Sequence, residues 1–209
     1  MTETQLKDTK ERLMLAARTL FAKKGYDGTS VRDIAKLAGV NIAALNYHFQ
    51  GKLNLFHQVI NQVFNETSAK VREHREAFPE EKVEDLAVWI FGNFLSDADI
   101  LRAMFKMMLS EEGWGEEADC GGEEEPYGPP GGRALASAIV HELQQEVAEA
   151  DMYWAVKMIF SNVVHLALIY SNHFCELPAD QTPFHDRVTL EADIRRLVRV
   201  VLSDLYTAV

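Results

Sequence analysis

SVRDIAKLAGVNIAALNYHFQGK, residues 30–52, reads as two short helices joined at a glycine and followed by the start of a third. Ser30 and Asp33 stand at the spacing of a capping box in its Asp variant, opening the first helix. Ile34, Ala35 and Ala38 then face inward, and Gly39 ends the helix where a positive φ is needed. Val40 drops into the core of the turn, and Asn41 is placed to cap a helix over Ile42–Phe49. Leu45 and Phe49, four apart, anchor that helix from beneath. Ala43, Ala44, Asn46, Tyr47 and His48 are left on or beside its open face. Small residues on such a face permit close approach to base edges. The pattern is that of a helix-turn-helix whose second helix enters the major groove.

Upstream, Asp8 to Lys24 reads as a helix with Leu13, Ala16, Ala17, Leu20 and Phe21 on one face. Lys23 and Lys24 suit the negative end of its dipole, and Gly25 follows as its terminator. Downstream, a long helix is expected from Lys52 to Phe78, with Leu53, Phe56, Ile60, Val63, Thr67 and Val71 as its buried stripe and Pro79 as its stop. A fifth helix carries Val83, Leu86, Ala87, Ile90 and Phe94. A sixth, Ala98 to Leu109, carries Leu101, Met104, Phe105 and Met108. Residues 111–132 hold seven of the twelve glycines, three of the six prolines and eight acidic residues, the composition of an exposed mobile loop. A seventh helix is expected over Arg133–Glu149, with Leu135, Ile139, Leu143 and Val147 inward. An eighth, Asp151–Cys175, is apolar nearly all round and expected to be buried on several sides. Thr189 is expected to cap the last helix, with Leu190, Ile194, Leu197, Val198, Val201, Leu202 and Leu205 on a broad face. No period-2 pattern occurs. The expected fold is all-α with about nine helices: a helix-turn-helix domain over 1–52 and a helical effector-binding and dimerisation domain over 53–209.

The formal net charge of −11 argues against nucleic acid only until its distribution is seen: residues 1–60 carry +4 and the remainder −15. A basic reading head on an acidic body would keep DNA on one face. Cys120 and Cys175 lie far apart and suggest reduced thiols. The N-terminus has no apolar leader, and the longest apolar stretch, Trp154 to Tyr170, is interrupted by Lys157, Ser161, Asn162 and His165. A cytoplasmic chain with no membrane partner is expected.

The run from Arg12 to Ile60 resembles the N-terminal domain of TetR/AcrR-type transcriptional regulators. The matching pattern is A-A-x-x-L-F-x-x-x-G-Y-x-x-T-S-V-x-D-I-A-x-x-A-G-V, then L-x-x-H-F-x-x-K and L-F, about the first quarter of the chain. The resemblance implies a homodimer with two reading heads and a ligand-binding C-terminal domain. It also implies that Ser30 and Arg32 touch phosphate or base, that Asn41, Ile42, Ala43 and Ala44 open the recognition helix, that Asn46, Tyr47 and His48 form its far end, and that Lys52 holds a phosphate. A cap hydroxyl, a helix N-terminus and a lysine are natural phosphate partners. Relatives often carry tyrosine where Asn46 stands and a basic or polar residue at Ile42. Ile42, Ala43 and Ala44 cannot hydrogen-bond to bases, so reading there falls to thymine methyls or groove shape, with Arg32 addressing guanine and Asn46 adenine. The Asn46–Phe49 variant also resembles a branch that controls drug and efflux genes.

In the body, Trp89, Phe94, Met104, Met108, Trp154, Met158, Asn162 and His165 are candidates for an adaptable apolar ligand pocket. Leu168, Asn172, Ile194, Leu197, Val201 and Leu205, on the eighth and ninth helices, are candidates for a four-helix dimer interface. His173 and Cys175 lack a third metal ligand, and no cofactor motif or nucleophile–base constellation is present. The expected function is a dimeric, ligand-responsive repressor, released from a palindromic double-stranded DNA operator by a small apolar or amphipathic effector. The competing reading is a constitutive DNA-binding or assembly protein whose C-terminal half only dimerises or docks a protein.

Overall fold

The computed structural model describes residues 3–108, 127–171 and 186–207. Every regular element among them is a helix: α1 Glu3–Lys24, α2 Val31–Ala38, α3 Ile42–Phe49, α4 Lys52–Ala77, α5 Val83–Ser96, α6 Ala98–Met108, α7 Gly132–Leu143, α8 Glu149–Ser171 and α9 Arg187–Thr207. The residues group into two compact units. One takes in α1–α3, α4 up to Val63, and α6 from Asp99; the other takes in α4 from Phe64, α5 and α7–α9. The division falls inside a continuous helix, where no composition change marks it, and not at Lys52, where the sequence reading places it.

In the first unit α1, α2 and α3 pack on one another. Leu13, Ala17, Phe21, Ile34, Leu45 and Phe49 are buried between them. Phe56 on α4 packs edge-on against Phe21 at 4.9 Å and against Tyr26 at 5.2 Å. Each such side chain contributes about 1.5–3 kcal/mol on burial. Phe56, Ile60, Val63, Thr67 and Val71 of the expected α4 stripe are buried; Leu55 and Val59 widen it, whereas Leu53 is exposed.

In the second unit α5 packs on α7, α8 and α9, and these three helices also meet one another. Val83, Leu86, Ala87, Ile90, Phe91 and Phe94 form the inward face of α5. From α9, Arg199 reaches Glu84 at 2.7 Å, and Arg195 pairs with Asp85. The α4–α7 seam turns on Gly131, whose φ is +81° and whose N–H donates to Ser68 Oγ at 3.2 Å. Residues 127–131 are therefore an ordered turn, and Pro130, Gly131 and Gly132 are buried. This corrects the expectation of a mobile loop for that end of 111–132; residues 111–126 lie outside the described residues.

Three boundaries also differ from expectation. α1 begins at Glu3, ahead of Asp8. α7 stops at Leu143 because Gln144 turns left-handed (φ 53°) and donates to the Val140 carbonyl, leaving Val147 outside the helix. α9 is capped by Asp186, which accepts from the Val188 N–H at 3.0 Å and the Thr189 hydroxyl at 2.8 Å. Thr189 thus lies inside the helix it was expected to cap.

Candidate nucleic-acid interface

The site grows from three local devices. The first is the capping box on α2: Asp33 N–H donates to Ser30 Oγ at 3.1 Å, and the Asp33 carboxylate accepts from the Ser30 N–H and hydroxyl. The Ser30 hydroxyl, the Ser30 N–H and the nearby Lys24 ammonium hold the Asp33 carboxyl below the ordinary carboxylate range. A lowered folded value means that the box supports folding above the ordinary range, and that this support is lost as pH falls through the lowered value. Ser30→Ala should cost about 1 kcal/mol in urea denaturation and raise the Asp33 carboxyl toward the ordinary range in an NMR titration, the backbone N–H and Lys24 keeping part of the lowering. An Asp33 titration unmoved by Ser30→Ala would show that the box does not set it.

The second device is the turn. Gly39 has φ +66°, and its N–H reaches the carbonyls of Ala35 and Lys36. From α1 the Arg12 guanidinium donates to the carbonyls of Ala38 and Gly39, closing the carbonyl end of α2. The third device is Asn41, whose side-chain oxygen accepts from the Ala44 N–H at 2.8 Å and caps α3.

With Leu45 and Phe49 fully buried, α3 presents Asn41, Ile42, Ala43, Asn46 and Tyr47 to solvent. Tyr47 is the most exposed of its large side chains, at 72%. Arg32 is exposed on α2. A groove of about 710 Å³ runs along α3, walled by Asn41, Ala43, Ala44, Tyr47 and His48 and continued by Thr9 and Val40. The last two were not read as site residues. Thr9 lies four before Leu13 on the same face of α1, and that spacing was the available signal.

Two expected contacts are placed differently from the rest. The His48 ring packs edge-on against Tyr47 at 5.1 Å, and its Nε2 is buried with no hydrogen-bond partner among the described residues. Lys52 Nζ donates to the Tyr26 carbonyl at 3.1 Å and sits 3.9 Å above the Tyr26 ring. Any phosphate at Lys52 therefore shares an ammonium that also ties α4 to the α1–α2 turn.

Residues 13–59, which contain all of this geometry except Thr9 and Arg12, match the profile of the bacterial regulatory proteins of the tetR family. The head is of tetR type. A probable HTH-type transcriptional regulator of Bacillus subtilis, YttP, is 43% identical over 56 residues, 27% of each chain. IcaR of Staphylococcus aureus, a negative transcriptional regulator of the biofilm operon icaADBC, is 41% identical over 56 residues, 27% of this chain and 30% of IcaR. The chain thus aligns with less than a third of these relatives' lengths. A solved TetR-family regulator from Mesorhizobium loti shares the fold over 98% of both chains, with TM-score 0.65 at 17% identity. The tetR-type head is a helix-turn-helix DNA-binding module, and the relatives that carry it regulate transcription. None of these matches singles out a drug- or efflux-gene branch.

Of the residues expected to wall an apolar pocket, Trp89 stacks on His74 at 4.0 Å, and Phe94 is buried edge-on against Phe160 at 5.4 Å. Met104 groups with the head's unit. Trp154, Met158 and His165 are exposed on one side of α8, with Asn162 half-buried. The Met108 side chain lies outside the described residues. α8 is long and apolar enough to cross a membrane by length and composition. Its inward residues Met152, Ala155, Val156, Ile159, Val163 and Ala167 nevertheless pack against α5, α7 and α9. Only one broad face is covered, not several sides.

The expected dimer residues divide in the same way. Ile194, Val201 and Leu205 are 0–3% exposed in the chain's own core, which corrects their reading as direct partner contacts. Leu168 and Leu197 are half-buried, and Asn172, His173 and Cys175 lie outside the described residues. Exposed apolar side chains occur instead at Trp154 (41%), Met158 (39%) and Val200 (61%).

Proposed function

We propose that the protein is a dimeric, ligand-responsive repressor of transcription that binds a palindromic operator in the cytoplasm. The observation that carries this reading is the capped recognition helix α3, with Asn41, Ile42, Ala43, Asn46 and Tyr47 open to solvent on a head of tetR type. Ala43 and Ala44 let the helix axis approach the groove floor. Arg32 and Asn46 supply the base-reading groups, Ser30, Tyr47 and Lys52 meet phosphates, and His48 supports the Tyr47 ring from behind.

Dimerisation uses the outer faces of α8 and α9, because the inner faces are already covered. Trp154, Met158 and Val200 supply the apolar area, and a two-fold axis brings each face against its own copy. Two heads then meet half-sites spaced by about one helical turn or a multiple. α4 is 26 residues long; it opens at Lys52 in the head, and its part from Phe64 belongs to the second unit. An effector that prefers one position of α4 must change operator affinity, and by linkage the operator changes effector affinity equally.

The reading is tested by selecting bound fragments from the source genome with the purified protein, alongside sedimentation of Trp154→Glu/Val200→Glu. The expected results are an enriched palindrome for the native protein and a monomer with weakened operator binding for the variant. No preference over random DNA at physiological salt would sink the regulator reading. A variant that stays dimeric would sink the assigned interface.

A further inference from the structure

Between the C-terminal half of α4 and the start of α7, the second unit holds a cavity of about 520 Å³. Among the described residues its wall carries the guanidiniums of Arg72, Arg75 and Arg133, the hydroxyls of Ser68 and Ser137, and one carboxylate, Glu76. Among the described lining residues three guanidiniums face one carboxylate, in a stretch, residues 61–209, whose net charge is −15. Like charges gathered around one concavity repel, and a bound anion relieves that repulsion most effectively. Glu76 lies one turn from Arg72 and forms no ion pair with it, and Arg72 has no hydrogen-bond or ion-pair partner among the described residues.

The remaining groups are positioned. Arg75 Nη1 donates to the Phe78 carbonyl at 3.1 Å and to the Pro79 carbonyl, which pins its planar head at the end of α4. Ser68 Oγ accepts from the Gly131 N–H at 3.2 Å, which leaves its own proton to donate. Small residues, Gly131 and Ala134, line the α7 side and leave the space open.

We propose that this cavity binds a small polar acid, its carboxylate or phosphate held by Arg72 and Arg133 with hydrogen bonds from Ser68 and Ser137. Planar guanidiniums match both oxyanions through paired N–H donors. This deepens the regulator reading and rests on it for biological purpose: the effector class becomes a polar anion, where the sequence suggested an apolar molecule. Ser68, Arg72 and Arg75 lie on the helix that Lys52 opens, so ligand and head share one element.

The test is calorimetric titration of the full chain with citrate, glucose 6-phosphate and, as the uncharged control, glucose. One of the two acids is expected to bind at one site per chain, weakening with salt. Arg72→Ala and Arg133→Ala should each lower its affinity at least tenfold, Arg72→Lys should fall between, and Arg196→Ala should change nothing. Binding of citrate alone assigns a carboxylate ligand, and of glucose 6-phosphate alone a phosphate ligand. The proposal is overturned if neither acid binds below about 10 mM, if glucose binds equally, or if both alanine variants bind as the native protein does. Operator binding is measured separately without any acid. Its loss would count against the regulator reading alone, whereas absent heat with intact operator binding would count against the cavity alone.

Discussion

Gly131→Ala is expected to lower the stability of the second unit by about 3 kcal/mol, as the sum of a strained backbone and an overpacked contact. At φ +81° any Cβ is disfavoured, and here it would also lie 2.8 Å from Val71 Cβ and Cγ1. Val71 is fully buried, and a Cβ cannot swing aside as a long side chain can. Relief requires α7 to move off α4, which would also lengthen the Gly131–Ser68 hydrogen bond. Gly25→Ala is the matched control: its φ is +72°, but nothing lies within 4 Å of the added carbon. That variant should cost only the backbone contribution, about 1 kcal/mol. Urea denaturation of both separates the two effects, and equal costs would show that the Val71 contact is not tight.

The second large effect concerns specificity. A chain carrying Arg32→Ala and Asn46→Ala should bind its operator about 100-fold more weakly, since each good base contact contributes about 1–3 kcal/mol of discrimination. Binding to random DNA should fall much less, because phosphate contacts supply most of it. The reasoning is one of elimination along an exposed face. Ile42, Ala43 and Ala44 carry no hydrogen-bonding group, and Tyr47 and His48 pack against each other. Arg32 and Asn46 are left as the exposed polar groups of α2 and α3 best suited to base edges. Competition mobility shifts with operator and random duplex measure the ratio. A ratio that survives the double substitution would transfer sequence reading to groove shape. Lys52→Met is a poor substitute test, because it also removes the Tyr26 contacts that tie α4 to the head.

Much of the head could be read directly because its determinants are local. The Ser30–Asp33 box, the left-handed Gly39 and the Asn41 cap each act within about one helical turn. Leu45 and Phe49 announce the buried side of α3 by their spacing alone. What periodicity and caps did not reveal in the head is a contact across elements: the Tyr26 carbonyl is 26 residues from the Lys52 ammonium that binds it.

The body shows the opposite balance. By itself the sequence determined that the chain is helical, that it carries a tetR-type head, and which residues of α3 face outward, because periodicity and caps act between near neighbours. Only the tertiary structure decided which side of α8 and α9 is covered, since a helix apolar nearly all round offers several faces and its neighbours choose among them. Ile194, Val201 and Leu205 went inward, and Trp154, Met158 and Val200 were left outside. The arginine-lined cavity likewise arises where Ser68 and Gly131, 63 residues apart, are brought into hydrogen-bonding distance. Charge that is scattered along a chain becomes a site only when packing gathers it on one wall.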